Sequence, residues 1–262
     1  MENPQVRVVR APPGLVWRAL EAEQQVGAVS ALLRPDNRWF VHFDRCRDDS
    51  YGPLLAAVAA NTESDLYANS READNQRKAL FTRLGFTVSR RESIYAVPTD
   101  PEITGLVTPS EPDGFVITSA VNAFEDELRL LDNALRQDVP GASGWKWDPG
   151  DFYDETFGPD FDPATYLVAI DTKTSEYIGL IRVWNNPGRP RLGLVGVQPA
   201  YRRRGLSRAL LGRAFAVLHE RGKAEVTAEV DDASSACRAL LGGLGARRIA
   251  GSVEWVRRRR DG

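Results

Sequence analysis

The sequence predicts a mixed α/β protein of two domains, each a central twisted mixed β-sheet flanked by helices. Three observations carry that expectation. Short apolar runs alternate with amphipathic stretches along the chain, the pattern of strands interleaved with helices. A block of the first half returns in the second, where Ala79-Leu80-x-x-x-Leu84-Gly85 reappears 160 positions on as Ala239-Leu240-x-x-x-Leu244-Gly245. Between the copies, Pro98–Gly114 gathers prolines, glycines and acids, the composition of a linker. Domains are therefore expected at 1–97 and 115–262, with 98–114 between them.

The elements follow in order. Leu15–Glu21 and Val26–Leu33 flank a short polar turn. Pro35-Asp-Asn37 turns the chain again, and Trp39–Phe43 alternates large apolar and polar side chains, so three strands are expected first. Gly52–Ala60 reads as a short apolar helix with Pro53 in its first turn, where the missing N–H has no helical partner to lose. Leu66–Ala68 is a strand, Asp74–Leu84 an amphipathic helix stopped by Gly85, and Val88–Val97 a closing strand. The first half thus runs β-β-β-α-β-α-β. After the linker, Phe115–Val121 is a strand. Phe124–Val139 places Phe124, Leu128, Leu131 and Leu135 on one helical face. Gly141–Pro163 is irregular, aromatic and acidic. Tyr166–Ile170 and Tyr177–Trp184 pair around a polar turn. Leu192–Val197 is a strand, Leu206–Arg221 a helix, Ala224–Val230 a strand, Ala233–Leu244 a helix and Ser252–Val256 the last strand.

Composition narrows the function classes. The 262 residues carry 34 basic and 36 acidic side chains, a formal net charge of -2, so no general nucleic-acid affinity is expected. No apolar run approaches the roughly 18 residues of a membrane span, so no membrane partner is expected. Met1-Glu-Asn-Pro-Gln5 lacks a charged region followed by an apolar core, and a cytoplasmic location is expected. Cys46 and Cys237 are too few for a disulfide framework, and with His42 and His219 too scattered for a metal site.

One stretch carries chemistry. Val195-Gly-Val-Gln-Pro-Ala-Tyr-Arg-Arg-Arg-Gly-Leu-Ser207 reads as a strand end, a basic turn and a helix start. Such a turn aims several backbone N–H groups one way, and the helix N-terminus adds partial positive charge. Gly205 lets backbone approach a ligand closely. With the guanidinium groups of Arg202, Arg203 and Arg204, the turn suits a pyrophosphate.

Arg202-x-x-Gly205-x-Ser207, preceded by Val197-x-Pro199, resembles the Arg/Gln-x-x-Gly-x-Gly/Ala signature of the GCN5-related N-acetyltransferase (GNAT) superfamily. Ser207 stands where Gly or Ala is usual. The element order over 115–256 is also similar to that family's. The block Asp74–Phe86 resembles another of its motifs, so the chain looks like two GNAT-like domains, the first shortened and degenerate. The resemblance implies acetyl-CoA as cofactor and CoA as product. It implies a site at Val195, Gly196 and Val197 on the strand, and at Arg202, Arg203, Arg204, Gly205, Leu206, Ser207 and Arg208 beyond it. Strands that splay after Val197 would receive the acetyl-CoA arm, with a backbone N–H near Val197 polarising the thioester carbonyl. The first half has Arg47-Asp-Asp-Ser-Tyr-Gly-Pro53 at the corresponding turn, where Asp48 and Asp49 repel a pyrophosphate and Pro53 removes a donor.

The resemblance further implies N-acetylation of a small-molecule amine by direct transfer in a ternary complex. The acid and base are less legible. The position of the family's frequent helix Tyr is Leu241 here, and the strand that often carries a Glu has no carboxylate. Glu229, Ser234 and Cys237 are the remaining catalytic candidates, each with an ordinary alternative as strand end, helix cap or small core residue. Trp145, Trp147, Phe152, Tyr153, Phe157 and Phe161 lie among Asp148, Asp151, Asp154, Glu155, Asp160 and Asp162. That segment either walls the site of a cationic amine or packs a core under solvated acids. An acyl-CoA-binding sensor or scaffold without turnover is the alternative function. The protein is expected to act as a monomer or homodimer.

Overall fold

The computed structural model describes residues 6–11, 15–106, 113–186 and 188–259. Met1–Gln5 and the centre of the expected linker, residues 107–112, lie outside the described residues. The chain forms two compact units, Met1–Arg91 with Gly251–Gly262, and Glu92–Ala250. These units divide inside two strands, not in the proline-rich segment. There, a one-turn helix α3 (Pro101–Thr104) is capped by the Asp100 carboxylate, which accepts from Glu102 N–H.

The first unit starts with an antiparallel meander of β1 (Arg7–Ala11), β2 (Val16–Glu21), β3 (Gln24–Leu33) and β4 (Trp39–Asp44). Helix α1 (Tyr51–Thr62) then crosses to β5 (Leu66–Arg71), parallel to β4. Helix α2 (Asn75–Arg83) leads into β6 (Thr87–Pro98). The C-terminal strand β12 (Arg247–Arg257) returns through Ser252–Arg257 to pair with β5. One strand, β1, is not expected from the sequence; its two adjacent valines lie between arginines in a run of five residues, too short and without alternation to read apart from its hairpin partner. Both helices pack one face of this sheet, burying Val29, Phe43, Leu54, Val58, Phe81 and Trp255. The opposite face is covered by long side chains instead of helices. Arg34 and Arg38 lie over the Phe40 ring, and the buried carboxylates Asp36 and Glu254 hold Arg34, Arg38 and Arg90 there.

The second unit runs from β7 (Phe115–Ser119) through α4 (Glu125–Arg136), α5 (Pro149–Thr156), β8 (Tyr166–Asp171), β9 (Tyr177–Trp184), β10 (Arg191–Val197), α6 (Leu206–Glu220) and β11 (Glu225–Asp231) to α7 (Ser235–Gly243). Its strands lie in the order β7-β8-β9-β10-β11, closed by the Glu92–Pro98 part of β6 against β11. Helix α5 falls in the segment expected to be irregular. Asp148 caps it by accepting from Asp151 N–H, and Pro149 opens it. Two cores line the two sheet faces. Leu206, Leu210, Phe215, Leu241 and Leu244 belong to one; Leu128, Leu131, Phe152 and Leu180 belong to the other. Each fully buried side chain of this size contributes about 1.5–3 kcal/mol.

The sequence repeat is a structural repeat. α2 and α7 have bounds 160 residues apart, at Asn75–Arg83 and Ser235–Gly243. Their N-caps share one backbone conformation, φ -84° and ψ 82° at Asp74, φ -79° and ψ 86° at Ser234. Gly85 and Gly245 follow the helices at φ 83° and 70°, a left-handed stop that suits residues without Cβ.

Candidate active site

The site grows from an interruption in the second unit's sheet. β10 and β11 pair in parallel only at Arg191↔Thr227 and Leu192↔Ala228, although the strands continue to Val197 and Asp231. The divergence therefore begins at Leu192, five residues before the expected point. A bulge at Gly193 sits at the apex, between the Leu192 and Leu194 pairings with β9. A Cβ on Gly193 would lie 2.2 Å from the Trp184 ring, so glycine is what lets the indole cover the bulge. Along β10, Gln198 N–H donates to Ile178 O on the β9 side. Antiparallel pairing alternates direction, so Val195 and Val197 present N–H and C=O away from β9, toward the divergence. Gly196 faces α4, where a Cβ would meet the Leu135 side chain at 3.1 Å.

At the open end of the divergence stands the basic turn. Arg203 at φ 61° and Gly205 at φ 82° alternate with ordinary backbone, a geometry that directs successive N–H groups inward. No atom lies within 4 Å of a Cβ built on Gly205. Leu206, Ser207 and Arg208 head the 15-residue α6, where N–H groups have no intrahelical acceptor. A cavity of about 270 Å³ is lined by Val197, Tyr201, Arg203, Gly205 and Ser207 among others. Its cations are not equivalent. Arg202 is committed to the protein, with Nε donating to Val197 O at 3.0 Å and Nη2 bonding Asp138. Arg208 donates to Gly105 O at 2.9 Å. Arg204 lies over the Tyr201 ring, 5.4 Å from its centroid, and does not line the cavity. Arg202, Arg203 and Arg208 all line the cavity, and of the three the exposed Arg203 is the one whose guanidinium is not bonded to the protein among the described residues.

The catalytic candidates separate. Glu229 is exposed, one residue beyond the last position of β11 that pairs with β10, with its carboxylate 4.0 Å from Arg191. The Arg191 guanidinium stacks on Trp184 at 4.1 Å from the centroid, and Arg182 lies 4.4 Å from the same centroid. Arg182 is 2% exposed and bonds Glu155 O; its Nη1, the Tyr166 hydroxyl and Thr156 Oγ1 are buried without a hydrogen-bond partner. Burial pushes the Arg182 pKa down and the Tyr166 pKa up. Ser234 is the α7 N-cap but makes no side-chain cap bond. Cys237 is exposed on α7, which overturns its reading as a small core residue. Leu241 is 3% exposed and part of the core, and it carries no proton to donate.

The aromatic segment mostly packs. Phe152 is fully buried, and Trp147, Phe157 and Phe161 pack on the same core. Arg136 already lies 5.2 and 5.5 Å from the Trp145 and Trp147 centroids. Asp162 is buried and bonds Arg221. What stays exposed is an acidic edge, with Tyr153, Asp151, Asp154 and Glu155 along α5. Asp148 there has a lowered pKa because Asp151 N–H caps it, while the charge of Asp148 raises the pKa of Asp151.

The first unit lacks the turn. Arg47 is bonded to both oxygens of Glu21, at 2.5 and 2.9 Å, and to Asp49 at 2.7 Å. Those hydrogen bonds raise the Arg47 pKa and lower those of both carboxylates. Among the described residues, no group of three or more metal-binding side chains converges, and no helix is long and apolar enough to cross a membrane.

Residues 129–245 match the acetyltransferase (GNAT) family. The chain is similar to a mycothiol acetyltransferase of Salinispora arenicola, 28% identical over 210 residues, which covers 78% of this chain and 67% of that protein. A second, from Salinispora tropica, is 29% identical over 56% of this chain and 49% of its own length. The chain thus spans about two thirds of one relative and half of the other. Among solved structures, a tandem GNAT protein from the clavulanic acid biosynthesis pathway superposes with a TM-score of 0.67 at 16% identity, covering 97% of this chain and 86% of that one. The segment of the second unit that matches the GNAT acetyltransferase family thus lies in a chain with the fold of a tandem GNAT protein and with sequence similarity to mycothiol acetyltransferases.

Proposed function

We propose that the second unit transfers the acetyl group of acetyl-CoA to a primary amine of a small, cationic molecule, both held in one ternary complex. The observation that carries this reading is the divergence of β10 from β11, opening onto the Arg203–Gly205 turn at the head of α6. The residues fit the group. Backbone N–H groups of Leu206, Ser207 and Arg208 with the Arg203 guanidinium suit a pyrophosphate. Arg202 fixes the turn through Asp138 and Val197 O. The outward-facing amides of Val195 and Val197 line the path of an extended arm and donate to a carbonyl there.

Acetyl-CoA supplies the thioester whose carbonyl carbon the amine attacks; a C–N bond forms, the C–S bond breaks, and CoA leaves as thiol. The chain holds the two reactants in line and removes a proton from the amine. Glu229, at the apex and held by Arg191, is the proposed base. Ser234 and Cys237, at and near the start of α7, are the other candidates for proton transfer. The exposed acids of α5, whose combined charge holds the Asp151 pKa up, favour a cationic acceptor. Relatives named mycothiol acetyltransferase make a substrate of that class the first to try.

The test is release of free CoA thiol from acetyl-CoA across a panel of amines that includes such a substrate. Arg203→Ala is expected to weaken CoA binding by about tenfold, and Gly205→Glu by more, since it adds a charge and a strained φ at the turn. Normal binding in both variants would sink the site. A second reading, an acyl-CoA sensor, is favoured by the burial of Leu241 where a proton donor is usual. Tight CoA binding without thiol release over the whole panel would select it.

A further inference from the structure

The first unit repeats the strand divergence without the phosphate turn. β4 and β5 pair in parallel at Trp39↔Leu66 and Phe40↔Tyr67, while β4 runs on to Asp44 and β5 to Arg71. The gap is not filled. A cavity of about 250 Å³ lies in it, walled by Phe40, Phe43, Tyr51 and Phe81, with His42 and Asn69 at its edge. Phe43 and Phe81 belong to the helix-covered core. Along β4, Phe40 and His42 point to the face opposite Val41 and Phe43, so the slot is lined from both faces of the sheet. A second hollow of about 540 Å³ adjoins it on the helix side and shares Tyr51, Arg77 and Leu80 with it.

Arg77 is the charge at that junction. It stands on α2, half-buried, and among the described residues no carboxylate lies within ion-pairing distance of its guanidinium. The repeat places it where the second unit has Cys237, so the cation is peculiar to this unit. A half-buried guanidinium with no ionic partner favours a compact oxyanion, and a planar carboxylate matches its fork. A dianionic pyrophosphate is disfavoured, because Asp48 and Asp74 line the adjoining hollow and Arg47 is spent on Glu21 and Asp49. The apolar walls suit a body of about ten non-hydrogen atoms.

We propose that this slot binds a small monocarboxylate with an aromatic or branched aliphatic body, its carboxylate on Arg77 and its body against Phe40, Phe43 and Phe81. The site is independent of the transferase reading, since all of its residues lie in the first unit.

The experiment is calorimetric titration of the full chain with phenylacetate and with its neutral isostere phenylacetamide, with and without saturating CoA. The expected result is one phenylacetate per chain, bound about tenfold tighter than the amide and unaffected by CoA. Arg77→Gln is expected to erase the preference for the acid. Arg77→Lys, which keeps the charge, is expected to restore part of it and so guards against a folding defect. Absence of phenylacetate binding, equal affinity for the amide, an unchanged preference in Arg77→Gln, or displacement by CoA would each overturn the assignment.

Discussion

Single positions decide whether the divergence in the second unit is usable. Gly193 is one: its missing Cβ is the space the Trp184 ring occupies, and that ring is in turn held between Arg182 and Arg191. Gly193→Ala is expected to cost about 1–3 kcal/mol, read as a lower urea midpoint, and to lower turnover because the bulge and Arg191 move together. Glu229 is another. If it is the base, Glu229→Gln lowers kcat/KM by about 10²-fold or more and removes the acidic limb of the pH–rate profile, while Cys237→Ser and Ser234→Ala leave the profile's shape intact. A loss in Cys237→Ser with none in Glu229→Gln would reverse the assignment. Arg202 acts differently from its neighbours. Its pair with Asp138 is about half exposed, at 47% and 56%, so it adds little stability, under about 1 kcal/mol. Its value is in fixing the turn that Arg203 and Gly205 complete.

At the level of elements, local signals were legible and long-range ones were not. β9 begins and ends where its apolar run does, at Tyr177 and Trp184, and both repeated helices stop at the glycines that sequence marks. The basic turn was legible because its strand, glycine and helix start are contiguous. The failures share a cause. β1 is a strand only through β2; α5 needs the Asp148 cap and the burial of Phe152 to emerge from an acidic stretch. That Arg202, which lines the cavity beside Arg203, is tied to the protein depends on Asp138, 64 residues earlier. The Arg182–Trp184–Arg191–Glu229 row joins three strands, and no local pattern announces it. The aromatic segment read equally well as wall or core, and only the packing of Phe152, Phe157 and Phe161 against Leu128 and Leu180 separates the two.

For the whole molecule, the decisive fact is where the units divide. Each of the two repeated strands is shared, with Thr87–Arg91 of β6 in the first unit and Glu92–Pro98 in the second, and β12 changing units at Ala250–Gly251. The first unit therefore takes Val253 and Trp255 into its core from the far end of the chain. A chain ending at Ala250 is expected to lose amide-exchange protection throughout β2–β5 while still binding CoA at the Arg203 turn. Equal loss of protection in α6 and β9 would show instead that the units fold as one. The same arrangement fixes the order in which a ribosome can complete the protein. When Ala250 has emerged, every strand of the second unit is available, including the early segment Glu92–Pro98. The first unit, although synthesised first, still waits for Gly251–Arg257, a strand made after all of the second unit's. The half of the chain that is oldest on the ribosome is thus the last to close, and until then its β5 edge is open to pairing with other chains.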